Sequence, residues 1–270
     1  MRDVAFGQFY PADSFVHKLD PRTKLLASIV YIVAVFLCTS YYSYLACFLF
    51  LVISIIVSRI PIRSVLKTVK AVLFIIIITV VINILFYSDG KVLWSWWKLT
   101  ITEQGLIFAS KMAMRLLFLV LSTSLITLTT TPMNLTDGLE SLLTPLKWIK
   151  FPVHDVAIIM SIALRFIPSF MEEIDKIMMA QKARGASFDT GGLIKRAKAL
   201  LPILIPLFVS AFRRADELAM ALDARCYNAT PNRTKMKKLT FTGRDVVAWV
   251  LTAAFLAIII MLRAGFFGLL

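Results

Sequence analysis

The sequence has few charged residues for its length. Only 17% of its residues are Asp, Glu, Lys or Arg, against about 25% in an ordinary soluble domain. In their place 59% of the residues are hydrophobic, and the mean hydropathy is +0.80. This excess of apolar surface excludes a single water-soluble core, because much of it must face lipid. It also excludes an intrinsically disordered chain, which contains few large apolar residues.

The motifs of common nucleotide-binding and hydrolytic sites are absent. The sequence has no Gly-x-x-x-x-Gly-Lys-Ser/Thr phosphate-binding loop, no His-Glu-x-x-His and no Gly-x-Ser-x-Gly. Its three cysteines, Cys38, Cys47 and Cys226, fall in different settings without Cys-x-x-Cys spacing, so neither a disulfide framework nor a zinc site is expected. No apolar stretch opens the N-terminus, so no cleaved signal peptide is expected. The sequence therefore predicts neither an enzyme nor a protein that holds a cofactor or metal.

Five apolar segments are predicted to cross the membrane. The stretch from Leu25 to Ser58 carries no charge and is too long for one span of about 20 residues, so the polar residues 39–43 predict a helical hairpin. Three further apolar stretches follow it. The predicted spans are Leu25–Leu37 with the residues just after it, Tyr44–Val57, Ala71–Tyr87, Met112–Thr131 and Val246–Leu262.

Residues 132–243 differ from the rest of the chain. Apolar stretches here are short, Pro202 and Pro206 interrupt the longest, and charges recur at helical spacing. Runs of this length are typical of buried or interfacial helices. We interpret the acidic cluster Glu172, Glu173 and Asp175 as a solvated helix face. The predicted fold is an all-α membrane protein with about five transmembrane helices and a water-facing helical region, divided at 1–131, 132–243 and 244–270.

Charge predicts the orientation. Of the 30 Lys and Arg residues, most lie in residues 1–24, in the connection 59–70 and in region 132–244, whereas the turn near Ser40 has none. Because positive charge accumulates on the cytoplasmic side, the N-terminus and the helical region are expected inside and the C-terminus outside. The net charge of +14 is thus interpreted mainly as a topology signal. Part of it is also available to anionic lipid, and nucleic-acid binding is not expected.

The predicted spans contain almost no ionisable side chains. Ion-coupled carriers need such groups near the middle of the membrane. Asn83 is the one strongly polar side chain deep in the third span, and we interpret it as a helix-packing residue. A stand-alone secondary transporter is therefore the alternative, and a chain that takes its energy from a partner is favoured.

One internal repeat occurs in the water-facing region. Residues 179–184 read Met-Ala-Gln-Lys-Ala-Arg and residues 220–225 read Met-Ala-Leu-Asp-Ala-Arg. In one interpretation each arginine serves its own helix end, where a cation complements the helix dipole and Gly185 adopts the left-handed cap. For one copy alone this interpretation is favoured. Two arginine-tipped helices in one region indicate instead a surface that docks a partner at two points.

Three further features of the sequence occur together with this repeat. They are the segments 7–14 (Gly-Gln-Phe-Tyr-Pro-Ala-Asp-Ser) and 17–24 (His-Lys-Leu-Asp-Pro-Arg-Thr-Lys), Ala-Arg-Gly-Ala at 183–186, and Ala224-Arg225 preceded by Phe-Arg-Arg-Ala-Asp at 212–216. With these motifs, and over nearly its whole length, the chain resembles the T component of energy-coupling factor (ECF) transporters.

The resemblance implies a coupling subunit in a bacterial cell membrane. Such a subunit joins a substrate-binding membrane S component to two ABC-type ATPases that drive uptake of a vitamin or other micronutrient. The length and the N-terminal motif resemble the shared type, which serves several interchangeable S components. It also implies that two cytoplasmic coupling helices dock on the ATPases through Ala183, Arg184, Gly185, Ala224, Arg225 and Cys226. Cys226 departs from the family, in which glycine is usual, so the cap of the second helix is an open question. No cofactor is implied.

Overall fold

A computed structural model describes residues 9–86, 91–96, 99–149, 151–186, 192–227 and 239–264. Within these ranges the chain is built almost entirely of α-helices, which confirms the predicted all-α class. A short hairpin of two strands, at residues 92–96 and 99–102, is also present. The helices are α1 (Pro21–Leu37), α2 (Tyr41–Ser58), α3 (Ile62–Phe86), α4 (Glu103–Thr129), α5 (Pro132–Leu143), α6 (Val153–Ala183), α7 (Leu193–Ala224) and α8 (Gly243–Arg263), and the antiparallel hairpin pairs β1 (Val92–Trp96) with β2 (Leu99–Thr102).

Five of the described helices are long and apolar enough to cross a membrane: α2, α3, α4, α6 and α8. This set differs in one member from the set predicted from sequence. Helix α1 has 17 residues, which is at the lower limit for a span. Helix α6 has 31 residues, and its apolar part qualifies by length and composition. The prolines at 202 and 206 do not end α7, which continues through both.

The chain folds as two compact units. One comprises residues 1–145 and 239–270, and the other residues 146–238. Helix α5 therefore belongs to the first unit, together with most of the membrane helices. Helices α6 and α7 belong to the second unit. The division predicted at residues 131 and 243 concerns which segments lie in the membrane, and it stays a prediction. The C-terminal residues 265–270 and the first residues of the 7–14 motif lie outside the described ranges.

The core of the first unit lies between α1, α2, α4 and α8. The Tyr31 ring on α1 stacks on Phe50 of α2 and Phe255 of α8, with centroids 5.9 and 5.7 Å away. Two of the three cysteines also lie in this core: Cys38 and Cys47 are both buried, with their Sγ atoms 3.4 Å from each other.

Asp245 joins the beginnings of two helices. Its carboxylate is buried, and its Oδ2 accepts a hydrogen bond of 2.8 Å from the backbone N–H of Thr242, the N-cap of α8. Its Oδ1 accepts another of 2.8 Å from the backbone N–H of Asp20, the N-cap of α1. Residues at helix starts carry amides without intrahelical acceptors, and a buried carboxylate satisfies such donors well.

Lys24 joins the beginning of α1 to the end of α4. The side chain is buried, and its Nζ donates to the backbone carbonyls of His17 (3.1 Å) and Thr129 (3.0 Å) and to Thr130 Oγ1 (3.3 Å). These three bonds use every N–H of the ammonium group. Nearby, the Tyr10 N–H donates to the Leu128 carbonyl at 3.0 Å. The N-terminal segment, the end of α4 and the start of α8 therefore lie on one face of the unit.

The opposite ends of the helices meet on the other face. Tyr41 at the start of α2 is 2.9 Å from Ser110 in the first part of α4, measured between the hydroxyl oxygens. Arg115 donates to the Tyr44 hydroxyl at 3.2 Å and lies over the Phe36 ring, 5.4 Å from its centroid. Because α4 begins at Glu103 and not near Met112, Arg115 lies deeper in the helix than predicted. Helix α1 therefore runs antiparallel to both α2 and α4.

Removal of the Asp245 carboxylate is expected to destabilise the first unit. Asp245→Ala leaves two backbone N–H groups without an acceptor and should cost about 2–5 kcal/mol of unfolding free energy. Asp245→Asn keeps one acceptor oxygen and should cost clearly less. Thermal unfolding of the detergent-solubilised chain measures both, and equal midpoints for wild type, Asn and Ala variants would contradict the assignment.

Candidate partner-docking site

Helix α6 ends in a backbone cap that leaves its last arginine free. The N–H of Gly185 donates to the Lys182 carbonyl and the N–H of Ala186 to the Gln181 carbonyl, each at 3.0 Å. Gly185 has the left-handed φ of +87° that this pair of bonds requires. Together they form a Schellman motif, which satisfies carbonyls at the helix end with backbone donors.

Helix α7 ends in the same motif. The N–H of Cys226 donates to the Asp223 carbonyl and the N–H of Tyr227 to the Leu222 carbonyl, each at 2.9 Å. Cys226 adopts a φ of +51° at the position that Gly185 occupies in α6. The structure thus answers the question raised by cysteine at this position. Cysteine keeps the cap geometry, but its backbone is strained because a residue with a side chain adopts the left-handed conformation.

Because of the two backbone caps, the arginine side chains are not needed at the helix ends. Ala183, Arg184, Gly185, Ala224, Arg225 and Cys226 are all exposed. In the described part of the chain, neither guanidinium, of Arg184 or of Arg225, makes a hydrogen bond or ion pair. Because backbone amides already bind the terminal carbonyls, neither helix needs its arginine as a cap. This arrangement argues against the helix-end interpretation and leaves both guanidinium groups open to a partner.

A contact between α6 and α7 lies along the helices from the two tips. Arg214 of α7 donates from Nη2 to Glu173 Oε2 of α6 at 2.8 Å and from Nη1 to the Ser169 hydroxyl. Its guanidinium carbon lies 5.3 Å from the centroid of the Phe170 ring. Both charged side chains are largely buried, at 30% and 22% exposure. Glu173 is therefore a packing residue and not part of a solvated face.

The contact has the same spacing as the sequence repeat. Glu173 and Arg214 are separated by 41 residues, and so are Arg184 and Arg225. Each contact residue therefore lies the same distance, about 16 Å along an α-helix, from its own arginine tip. At the same offset Ser169 matches Ser210, and Asp175 matches Asp216. The repeat is thus longer than its last six residues, and the helices meet at equivalent positions.

Arg214 is the residue of this region that sequence reasoning missed. Its signal was present: at the repeat offset the acidic pair 172–173 faces the basic pair 213–214. Opposite charges at equivalent positions favour a contact between the two copies. As for metals, no group of three His, Cys, Asp or Glu side chains comes together among the residues that the structure covers.

Comparison with known proteins gives the family. The profile of the family described as cobalt transport protein (CbiQ) matches residues 12–236. A protein from Ruminiclostridium cellulolyticum, named energy-coupling factor transporter transmembrane protein EcfT, is 49% identical over 267 residues, which cover 99% of this chain and 100% of that protein. Proteins of the same name from Clostridium kluyveri and Bacillus subtilis are 48% and 42% identical, over 97% and 98% of this chain and 98% and 100% of their own lengths.

The apolar helices and these relatives define a multi-pass membrane protein of a transport system. The chain belongs to the CbiQ family, and within it to the transmembrane T components of energy-coupling factor transporters. The resemblance inferred from the sequence motifs is confirmed.

The two caps provide a matched test of the left-handed position. Gly185→Ala places a methyl group in open space, since no atom lies within 4 Å of it, so its effect is conformational strain of about 1–2 kcal/mol. The Ala186 amide should then exchange with solvent about 5–30 times faster. Cys226→Gly removes the corresponding strain and should slow exchange at Tyr227. Hydrogen exchange followed by mass spectrometry measures both, and changes in the same direction would contradict the account.

A double-mutant cycle tests the contact between α6 and α7. Glu173→Arg and Arg214→Glu should each lower the unfolding midpoint, because each leaves like charges together in a largely buried place. The double exchange should recover part of the loss, with a coupling energy of about 1–2 kcal/mol. Strictly additive effects would show that the two side chains do not interact in the membrane-embedded protein.

Proposed function

We propose that the chain is the coupling subunit of an ECF-type ABC importer in a bacterial plasma membrane. In this role α6 and α7 transmit motion from two ATPase subunits to a substrate-binding S component, which takes up a vitamin or other micronutrient. Membership of the T-component family supports the assignment. The single structural observation that carries it is the pair of similarly capped helix ends, whose exposed arginines have no partner among the residues that the structure describes.

Two identical tips suit two similar partners. A guanidinium binds a carboxylate or a pair of carbonyls through two parallel hydrogen bonds, which fixes the orientation of the helix on its partner. Each tip continues a helix of more than 30 residues, with 31 in α6 and 32 in α7. We assign one ATPase to Arg184 and the other to Arg225, with the flanking Ala183, Gly185, Ala224 and Cys226 allowing close approach.

The contact at Arg214 explains how motion passes between the helices. Because Glu173 and Arg214 lie at the same distance from their tips, a displacement of one tip moves the other helix at the equivalent level. A hydrogen-bonded, largely desolvated pair resists separation better than an exposed ion pair. The two docking points are thereby coupled instead of moving independently.

The apolar face of α7 is the surface that we assign to the S component. Ile205, Phe208, Val209 and Phe212 follow the i, i+3, i+4, i+7 pattern of one helix face and are 57–69% exposed. Among the described helices, α7 is not one of those apolar enough to span the membrane by itself. An exposed apolar stripe on such a helix favours a protein partner.

Orientation and energy supply complete the proposal. From the distribution of Lys and Arg we expect the N-terminus and the tips of both coupling helices on the cytoplasmic side and the C-terminus outside. The sequence contains no phosphate-binding loop, so we expect ATP to be hydrolysed by the partner subunits. The alternative is a stand-alone secondary transporter. It would be supported by substrate flux into liposomes that contain this chain alone.

Charge reversal at the tips tests the proposal. Arg184→Glu and Arg225→Glu should each weaken ATPase binding by about 2–5 kcal/mol, because each removes one partner of a desolvated charged contact. The double variant should lose binding, and Arg184→Lys should be intermediate since lysine offers only a point charge. Co-purification of tagged ATPases with the detergent-solubilised chain measures the effect.

Matched controls lie on the same helices. Lys182→Glu makes the same charge change at an exposed position close to the tip of α6, and Arg213→Glu makes it at an exposed position next to the contact between the helices. Both variants should keep most of the ATPase binding. Unchanged thermal midpoints should show that all variants fold. Wild-type recovery of the ATPases with the double tip variant would disprove the docking assignment.

A further inference from the structure

A cleft of about 430 Å³ opens in the first compact unit. Three segments form its walls: residues 13–18 of the N-terminal segment, residues 56–59 at the end of α2, and Arg244 at the start of α8. The apolar part of α2 ends at Ser58, and α8 begins at Gly243. The cleft therefore lies at the level where membrane helices emerge from the hydrocarbon.

The N-terminal wall of the cleft is held in place by hydrogen bonds. Burial lowers the pKa of His17, which favours the neutral form of the ring. Its Nε2–H donates to the Tyr10 carbonyl at 3.0 Å, and its Nδ1 accepts from the Ser14 hydroxyl at 2.7 Å. The buried ammonium of Lys24 binds the His17 carbonyl. The segment is thus fixed to the helices before any ligand is present.

The cleft has more positive than negative charge. Three cations, Lys18, Arg59 and Arg244, face it, against the single carboxylate of Asp13. Lys18 pairs with Asp13 at 3.2 Å. In the described ranges the guanidinium groups of Arg59 and Arg244 make no hydrogen bond or ion pair with another residue. Two guanidinium groups are therefore available for an anion.

Arg59 is held at the cleft by its backbone. It follows the last turn of α2 and has a left-handed φ of 54°, a conformation that is unfavourable for residues other than glycine. Its neighbours Ser58 and Ile60 are buried, with 0% and 6% exposure. The chain on both sides is therefore anchored, and the exposed guanidinium extends from a fixed point.

The remaining lining of the cleft is apolar. Phe15, Ile56 and Val57 are exposed there, Ile56 to 69%. A free phosphate ion gains nothing from such side chains, whereas an acyl chain does. The combination of cations at the helix ends with apolar side chains along α2 therefore fits an amphiphile.

We propose that this cleft binds an anionic phospholipid, with Arg59 and Arg244 on the phosphate and the acyl chain along Ile56 and Val57. Arginine binds phosphate through two parallel hydrogen bonds, and basic pockets between membrane helices are suited to anionic headgroups. This site is independent of the ATPase-docking tips, because it lies in the other compact unit.

Ligand-induced thermal stabilisation of the full chain in detergent tests the proposal. Short-chain phosphatidylglycerol should raise the unfolding midpoint saturably, and phosphatidylcholine of the same chain length should not. Inorganic phosphate at equal concentration should give no shift. A shift with phosphate alone would replace the lipid by a free anion, and equal shifts with both lipids would overturn the proposal.

Variants locate the effect. Arg59→Gln with Arg244→Gln should weaken phosphatidylglycerol binding about ten- to a hundredfold, as expected for the loss of charged hydrogen bonds. Arg59→Gly removes the guanidinium and relieves the left-handed strain, so it should bind lipid weakly without a lower midpoint in lipid-free detergent. The control pair Arg63→Gln and Lys67→Gln, both exposed on α3 outside the cleft, should keep wild-type affinity. Wild-type affinity in the Arg59 and Arg244 variants would overturn the assignment.

Discussion

The backbone groups at helix ends must find partners, and the structure depends on how they do so. A membrane helix buries its own hydrogen bonds, but its first amides and last carbonyls need other partners where little water is available. In the first unit, two buried side chains supply them. Asp245 accepts from the N-cap amides of α1 and α8, and Lys24 donates to the end of α4. The same bonds that satisfy the helix ends also fix how these helices are arranged.

In the second unit the backbone itself satisfies the helix ends, and this difference matters for function. The Schellman motifs at Gly185 and Cys226 bind the carbonyls that a terminal arginine would otherwise serve. Two guanidinium groups are thereby left exposed at the ends of long helices. The ion pair between Glu173 and Arg214 then relates the two tips, since it lies at equivalent positions of the repeat. These local interactions support the proposed surface with two equivalent, coupled docking points.

Local patterns in the sequence predict most of what is local in the structure. Uninterrupted apolar stretches predict α2, α3, α4 and α8 among the five candidate membrane helices, but not α6. The repeated Met-Ala-x-x-Ala-Arg predicts two similar helix ends. Contacts between distant residues leave no such pattern. Asp20 and Asp245 are 225 residues apart, and the Cys38–Cys47 contact depends on how α1 and α2 pack. The contact of Arg214 with Glu173 could have been predicted from the opposite charges 41 residues apart, but only on the assumption that the two copies of the repeat touch.

The central claim is that the ATPases bury the two helix tips, and a cysteine of the chain itself can report on it. Cys226 is an exposed free thiol next to Arg225, while the other cysteines, Cys38 and Cys47, are buried. The rate at which a maleimide labels Cys226 in the intact protein is therefore the most direct measurement, made with and without the ATPase subunits bound. The account predicts fast labelling of the isolated chain and strong protection in the complex. Equal rates in the two states would show that the tip of α7 is not a docking point.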